Sequence, residues 1–566
     1  MMDRRAFVGG LAAAAALPFV AGCTGGGRND ATGSSEEPRG TVLGIGIMPP
    51  ESIDPRELRD TAGMQVASQL FDPLTRFDFE AGEARGLAAE SFEVSDDART
   101  VTFHIAAGRT FHDGEPVTSV SFKRAWERLV GPAVSKGEGG GTGEKAAAAA
   151  SPCAYHLALV EGYSDLAAGR ASELTGVKCP DDLTLTVALS SPYVEWSLVA
   201  AHPALAPVPA AALEDPEGFA SRPVGNGPYL LREPWASGEP IELSRFDGYA
   251  GEAGGPDAVR LVPSDDTRAS YRGLEAGDLD VSGIPVDQLE EARRSLGEST
   301  DGYTMEAGHR LLEGVEPSVY HLVCNVSRPP FDSVDFRRAV SLAIDREFLC
   351  DKVFQGSRVP ADGLVPGCIP GRAEAGRYAS LDAGRASRLL DAEYPADEDG
   401  ARDVQVTLLC SKGSVHAKTL DAVASNLEDV GISVQVEALD WPQLIERYRS
   451  GDFQAGRMSW TADYPTADQF LYPLLHSASR EGDNWSGYAN DKVDAALDKA
   501  RLTVDASERA GLLARAAQLA GDDCALIPLA YGTHGIGGSE RVSSLYIDPF
   551  RIPRLETARL EDGATE

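Results

Sequence analysis

The chain has 566 residues and a formal charge of -35, from 52 basic and 87 acidic side chains. That acidic surplus excludes two classes: a protein gripping nucleic acid through its phosphates, and one lying flat on an anionic membrane. With 43% hydrophobic and 25% charged residues it is otherwise an ordinary globular composition, long enough for two or three domains.

Arg4-Arg5 precedes an apolar run from Phe7 to Val20, closed by Ala21-Gly22-Cys23. A charged start, a short apolar core and small residues at the end read as an export signal, too short to span a bilayer comfortably. Val20-Ala21-Gly22-Cys23 resembles a bacterial lipobox, which makes Cys23 the expected lipidation site; a plain cleaved signal is the alternative. The polar stretch 24–40, opening on Thr24-Gly25-Gly26-Gly27, reads as a flexible tether. Arg4-Arg5-Ala6-Phe7-Val8 leaves general and twin-arginine export both open.

Along the body of the chain, Thr41 to Ile47 alternates like a strand, and Met64 to Leu74 has helical spacing. Phe92–Val94 and Val101–Ile105 predict a hairpin turning at Asp96-Asp97. Thr118 is placed to cap a helix over Ser119–Val130. Residues 135–150, SKGEGGGTGEKAAAAA, read as a surface insertion; Glu144 interrupts the Gly-Lys-Ser/Thr run a phosphate loop needs. Helices are predicted over Tyr155–Ala168, Ser270–Ala276, Asp335–Ala343, Arg346–Phe354, Val493–Thr503 and Ala506–Leu519. Strands are predicted over Leu183–Leu189, Ile241–Phe246, Ala258–Val262, Tyr320–Asn325 and Phe453–Trp460, with an extended crossing at Pro203–Pro209. Val404–Cys410, Val415–Val430 and Ile432–Ala438 form a strand-helix-strand unit, which implies parallel pairing through a right-handed crossover. The whole reads as a mixed α/β protein with more than one sheet.

Eight cysteines leave seven once Cys23 is set aside, an odd number, so at least one thiol has no partner within the chain. Cys153 with Cys179 is the expected bridge. The cysteines have no C-x-x-C spacing and histidine is scarce, so no metal site is expected.

Several stretches then line up in one order. They are Leu70-Phe71-Asp72-Pro73-Leu74, Leu87-Ala88-Ala89-Glu90-Ser91-Phe92, Phe111-His112-Asp113-Gly114, Gly225-Asn226-Gly227-Pro228-Tyr229, Leu274-Glu275-Ala276-Gly277-Asp278, Phe336-Arg337-Arg338-Ala339 and Trp460-Thr461-Ala462-Asp463-Tyr464-Pro465. Together they resemble the family-five solute-binding proteins of ABC importers, over roughly residues 41 to 550. Ser151-Pro152-x-Ala154-Tyr155 and His202-Pro203-x-Leu205-x-Pro207 point within it to the oligopeptide-binding branch.

The resemblance implies an α/β, two-lobed periplasmic-binding-protein-like fold (type II, cluster C) with an extra domain inserted in the first lobe. Mapped here, the first lobe is 41–85, 205–305 and 532–566, the inserted part 86–204, and the second lobe 306–531. It implies an extended peptide held between lobes, no cofactor, an ABC permease as partner, a lipid anchor in the membrane and a monomer. The family pattern puts Asp463 on the peptide's free amine, since a buried ammonium needs a fixed counter-charge; a turn-capping Asp before Tyr464-Pro465 is the alternative. Trp460 would wall the cleft, with a core aromatic at a strand end as the alternative; Tyr464 is a further ligand-binding candidate, Ser459 and Thr461 would offer backbone groups, and Asp60, Thr61 and Ala62 align with a loop at the cleft edge. Asn484 and Trp485 are further candidates on the second lobe, with a plain loop as the alternative. Rival readings are another cargo on the same fold (a dipeptide, nickel complex, haem or sugar), a signalling or chaperone lipoprotein, and a secreted hydrolase. The last lacks both G-x-S-x-G and H-E-x-x-H.

Overall fold

In the strand Val42–Ile47, Leu43, Ile45 and Ile47 are buried and the intervening positions are not, the period-two pattern of a half-covered sheet. It pairs in parallel with Ala258–Pro263 at the heart of a seven-stranded sheet. In this computed structural model the described residues are 41–79, 81–131, 151–251 and 254–561. The export signal with Cys23, the tether and the insertion at 135–150 lie outside them.

The seven-stranded sheet draws its strands from residues 42–47, 229–312 and 536–538. A four-stranded antiparallel sheet is built wholly from Ala89–Val94, Thr100–Ile105, Thr184–Ala188 and Val177–Asp181. It does not stand alone. One continuous hydrophobic core runs from Leu43 and Ile45 through Phe103, Trp126 and Trp196, and the two indoles meet edge-on at 5.6 Å. The helix Ser119–Val130 contributes Phe122, Trp126 and Leu129 to it, and Thr118 opens that helix with a capping box completed by Ser121.

A six-stranded sheet lies beyond a double crossing. Its order is Arg358–Pro360, Leu526–Thr533, Val315–Cys324, Ala455–Thr461, Gln405–Ser411, Ser433–Leu439. The strand-helix-strand unit falls within it, with Gln405–Ser411 and Ser433–Leu439 parallel in register across the helix Ser414–Glu428. The chain passes into this sheet at Glu313-Gly314 and leaves it at His534-Gly535. The two crossings touch. The His534 N–H donates to the Gly314 carbonyl, and the Gly314 N–H donates back to His534 Nε2, each at 3.2 Å.

Three expectations need correction. The helix predicted over Met64–Leu74 runs instead over Thr61–Leu70. Pro73 has no N–H to continue it, and the chain is drawn away by Asn226, which exchanges hydrogen bonds with the Asp72 backbone at 2.9 and 3.0 Å. Gly225 and Gly227 allow that approach: a Cβ at Gly225 would stand 1.8 Å from the Leu70 carbonyl oxygen. The helix predicted over Tyr155–Ala168 is a single tight turn at Ala154–Leu157 and a short helix at Tyr163–Ala167, parted by Gly162 at φ +85°. Cys153 and Cys179 are both free thiols: Cys153 Sγ donates to the Leu58 carbonyl at 3.0 Å, while Cys179 lies beside Ser119 and Lys123.

Candidate ligand-binding site

The strand Ala455–Thr461 has one free edge. Along its length it pairs with Val315–Cys324, but with Gln405–Ser411 only at Ala455 and Gly456. Just past it, the Ala462 N–H donates to the Pro317 carbonyl at 2.9 Å, so the even-numbered residues face that paired side. By strand alternation Arg457, Ser459 and Thr461 turn their backbone N–H and C=O groups to the unpaired side. Ser459 and Thr461 are exposed, while the Arg457 carbonyl accepts from the Tyr448 hydroxyl at 3.1 Å. An exposed strand edge of this kind is what an extended peptide backbone pairs with.

Asp463 follows the strand. Its carboxyl is pushed up to about 6 by burial, and the nearby Tyr155 hydroxyl only partly offsets this. Among the described residues no basic side chain pairs with Asp463. A largely buried carboxylate without a counter-charge is costly, and an incoming ammonium would relieve it. Cys153 also lies within electrostatic reach of it, so Asp463 meets the turn that carries both Cys153 and Tyr155. Tyr464 lies beside Tyr193 and Gln469, with the Tyr193 hydroxyl left without a hydrogen-bond partner.

The opposite sign gathers at Arg457. This side chain is buried, its Nε has no hydrogen-bond partner, and Nη1 reaches Ser411 Oγ at 3.4 Å. Its guanidinium lies 4.6 Å from the Tyr320 ring centre and that of Arg358 lies 5.3 Å from the same ring. Neither arginine forms an ion pair among the described residues. His416, 3.1 Å from the Tyr320 hydroxyl, is pushed down to about 4 by burial and then by these two cations, so it is neutral at pH 7. Six strand steps separate Arg457 from Asp463, about 20 Å at full extension.

The other predicted residues are placed as follows. Trp460 faces the core of the six-stranded sheet, and its indole N–H donates to the Gln469 carbonyl at 2.8 Å. Asp60 caps the helix Thr61–Leu70 by accepting from the Gly63 N–H at 2.8 Å. Thr61 Oγ1 accepts from Arg551 at 3.1 Å, and Ala62 is buried. Asn484 donates within its own loop to His476 and Tyr488 carbonyls, and Trp485 stacks on Tyr448 at 5.4 Å. Tyr155, Arg457, Arg358 and His416 were not singled out from the sequence. The available signal was Arg457 on the predicted strand that leads to Asp463.

Two mixed α/β bodies of sheet joined by a paired crossing define the class of two-lobed solute-binding folds. The family model for bacterial extracellular solute-binding proteins, family 5 Middle, matches residues 83–482, and the chain belongs to that family, whose members serve ABC importers. The periplasmic oligopeptide-binding protein OppA of Haemophilus influenzae is 30% identical over 502 residues, covering 85% of this chain and 86% of that one. A probable deoxycholate-binding periplasmic protein, YgiS of Escherichia coli, is 28% identical over 494 residues, again 85% and 86%. Among solved structures, the unliganded open form of the murein tripeptide-binding protein MppA superposes with a TM-score of 0.79 at 23% identity, over 94% of this chain and all of that one. The Haemophilus influenzae OppA complex with the peptide RPPGFSPFR gives 0.64 at 26%, over 93% and 99%.

Proposed function

We propose that this protein captures short peptides with free termini and presents them to a membrane permease. The peptide adds as a strand along the free edge at Arg457–Thr461, its ammonium at Asp463 and its carboxylate at Arg457. What carries this reading is the pair of uncompensated charges of opposite sign, Arg457 on the strand with the unpaired edge and Asp463 just beyond its end. Two side chains reaching inward from about 20 Å apart suit an extended ligand of roughly three to five residues. The segments 41–85, 205–305 and 532–566 with the inserted 86–204 act as one lobe and 306–531 as the other. Closure bends the chain at the Gly314 and His534 crossings. Lipid on Cys23 and the tether to residue 40 hold the protein at the outer face of the cytoplasmic membrane. Native mass spectrometry of protein purified without refolding tests the reading. A co-purified set of tri- to pentapeptides supports it, and a homogeneous non-peptide ligand contradicts it.

A second reading is an amphipathic carboxylate, in line with the deoxycholate-binding relative. The apolar cavity beside Asp463 and the cations at Arg457 and Arg358 favour it. It leaves Asp463 without a counter-charge, which is why the peptide is preferred.

A further inference from the structure

The cavity beside Asp463 is lined mainly by apolar side chains. It encloses about 100 Å³ and is walled by Met64, Phe77, Phe79, Leu198, Phe550 and Ile552. Phe77 and Phe79 meet edge-on with ring centres 4.7 Å apart, and Phe79 lies 6.2 Å from Phe550, so three aromatic rings form one surface. The charged groups around them are already paired: Arg554 with Asp548 at 2.7 Å, and Arg76 with Glu556 at 3.2 Å. That leaves Asp463 as the one carboxylate of the lining with no cation beside it, on the wall that also holds Tyr464 and Pro465. The space is of the order in which a benzene-sized group sits in an apolar protein cavity, roughly 150 Å³.

We propose that this cavity receives the side chain of the ligand's first residue and selects an aromatic or large aliphatic one, with Phe77, Phe79 and Phe550 as the specificity-determining residues. The inference rests on the reading that Asp463 holds the ligand's ammonium. That contact fixes the first α-carbon beside the cavity, and its side chain has an apolar, aromatic-walled space next to it. A small first side chain leaves that surface uncovered. An acidic one brings a second negative charge against Asp463. Differences of one methylene in an apolar pocket discriminate by about 10- to 200-fold, so a whole ring reaches at least the lower figure.

The test is calorimetry on the chain from residue 24 onward with Phe-Ala-Ala, Ala-Ala-Ala and Glu-Ala-Ala, repeated on Phe79→Ala, Phe550→Ala and the milder Phe550→Leu. The expected result is binding of Phe-Ala-Ala at least tenfold tighter than Ala-Ala-Ala, Glu-Ala-Ala weakest, and the Phe-to-Ala ratio falling toward one in the variants. Equal affinity for all three peptides overturns the selection while leaving the peptide reading intact. A tenfold preference that persists in all three folded variants overturns the role of these aromatics. Failure of every tripeptide to bind overturns the ammonium reading, and this inference with it.

Discussion

The Tyr155 hydroxyl faces the Asp463 carboxylate and lowers its proton affinity, joining a turn beside the four-stranded sheet to the segment that follows Ala455–Thr461. The two residues lie far apart in the chain. Their contact supplies a polar neighbour but no charge, so the carboxylate waits for a cation that the described residues do not provide.

This gives Asp463→Asn a pH-dependent effect on stability. In the unfolded chain the group titrates near 3.8, and in the folded protein near 6. The folded state therefore holds this proton more tightly. Its contribution to stability is full below 3.8 and is lost as pH rises through about 6. At pH 7.5 Asp463→Asn should stabilise the unliganded protein by about 1–3 kcal/mol, and the gain should vanish near pH 3.5. Thermal melts across that range check it; a destabilised variant at pH 7.5 contradicts the assignment of an unpaired carboxylate.

Tyr155→Phe should move the titration of Asp463 further up, because the hydroxyl is the group that lowers it. Affinity for a free-amine peptide should fall by about 0.5–1.5 kcal/mol, and the acid-side loss of binding should begin at higher pH. Calorimetry at pH 5, 6 and 7 reads both, and an unshifted pH profile speaks against the contact.

Arg457→Met should weaken a peptide with a free C-terminal carboxylate by about 1.5–3 kcal/mol and weaken its C-terminal amide much less. The comparison of the two peptides separates loss of a charged contact from general damage to a buried site. Equal losses for both would take the carboxylate away from Arg457.

A different contact holds the two sheet systems together beyond the ligand. Glu195 accepts from Thr466 Oγ1 at 2.8 Å and pairs with Arg509 at 3.2 Å, while the Val194 N–H donates to the Arg501 carbonyl at 2.9 Å. Glu195→Ala leaves Arg509 unpaired in a largely buried position and should cost about 3 kcal/mol. Glu195→Gln, which keeps an acceptor for Thr466, should cost less. Chemical denaturation measures both; an Ala variant as stable as the parent would show the pair to be idle.

Much of the fold was legible because local pattern and tertiary need agree there. Residues 404–438 alternate, then turn helical, then alternate again, and they form that parallel unit. The prediction failed where a distant residue decides. Nothing near Phe71 says that Asn226 will capture the backbone at Asp72. The run from Tyr155 looks helical until Gly162 takes a left-handed conformation. The site shows the same division. Asp463 stood out through its resemblance to a family segment. Arg457 did not, because an arginine inside a predicted strand reads as an exposed face until the structure buries it against Tyr320. The free edge beside Ser459 and Thr461 is set by where Gln405–Ser411 parts from its neighbour, which no local pattern records.

The most direct test of the central claim is a cycle of four titrations at pH 7.5: a tripeptide and its N-acetylated form, each against the parent and Asp463→Asn. Pairing of the ligand's ammonium with Asp463 predicts that the parent loses about 1–3 kcal/mol on acetylation and that the variant loses little. Equal losses in both proteins would contradict it.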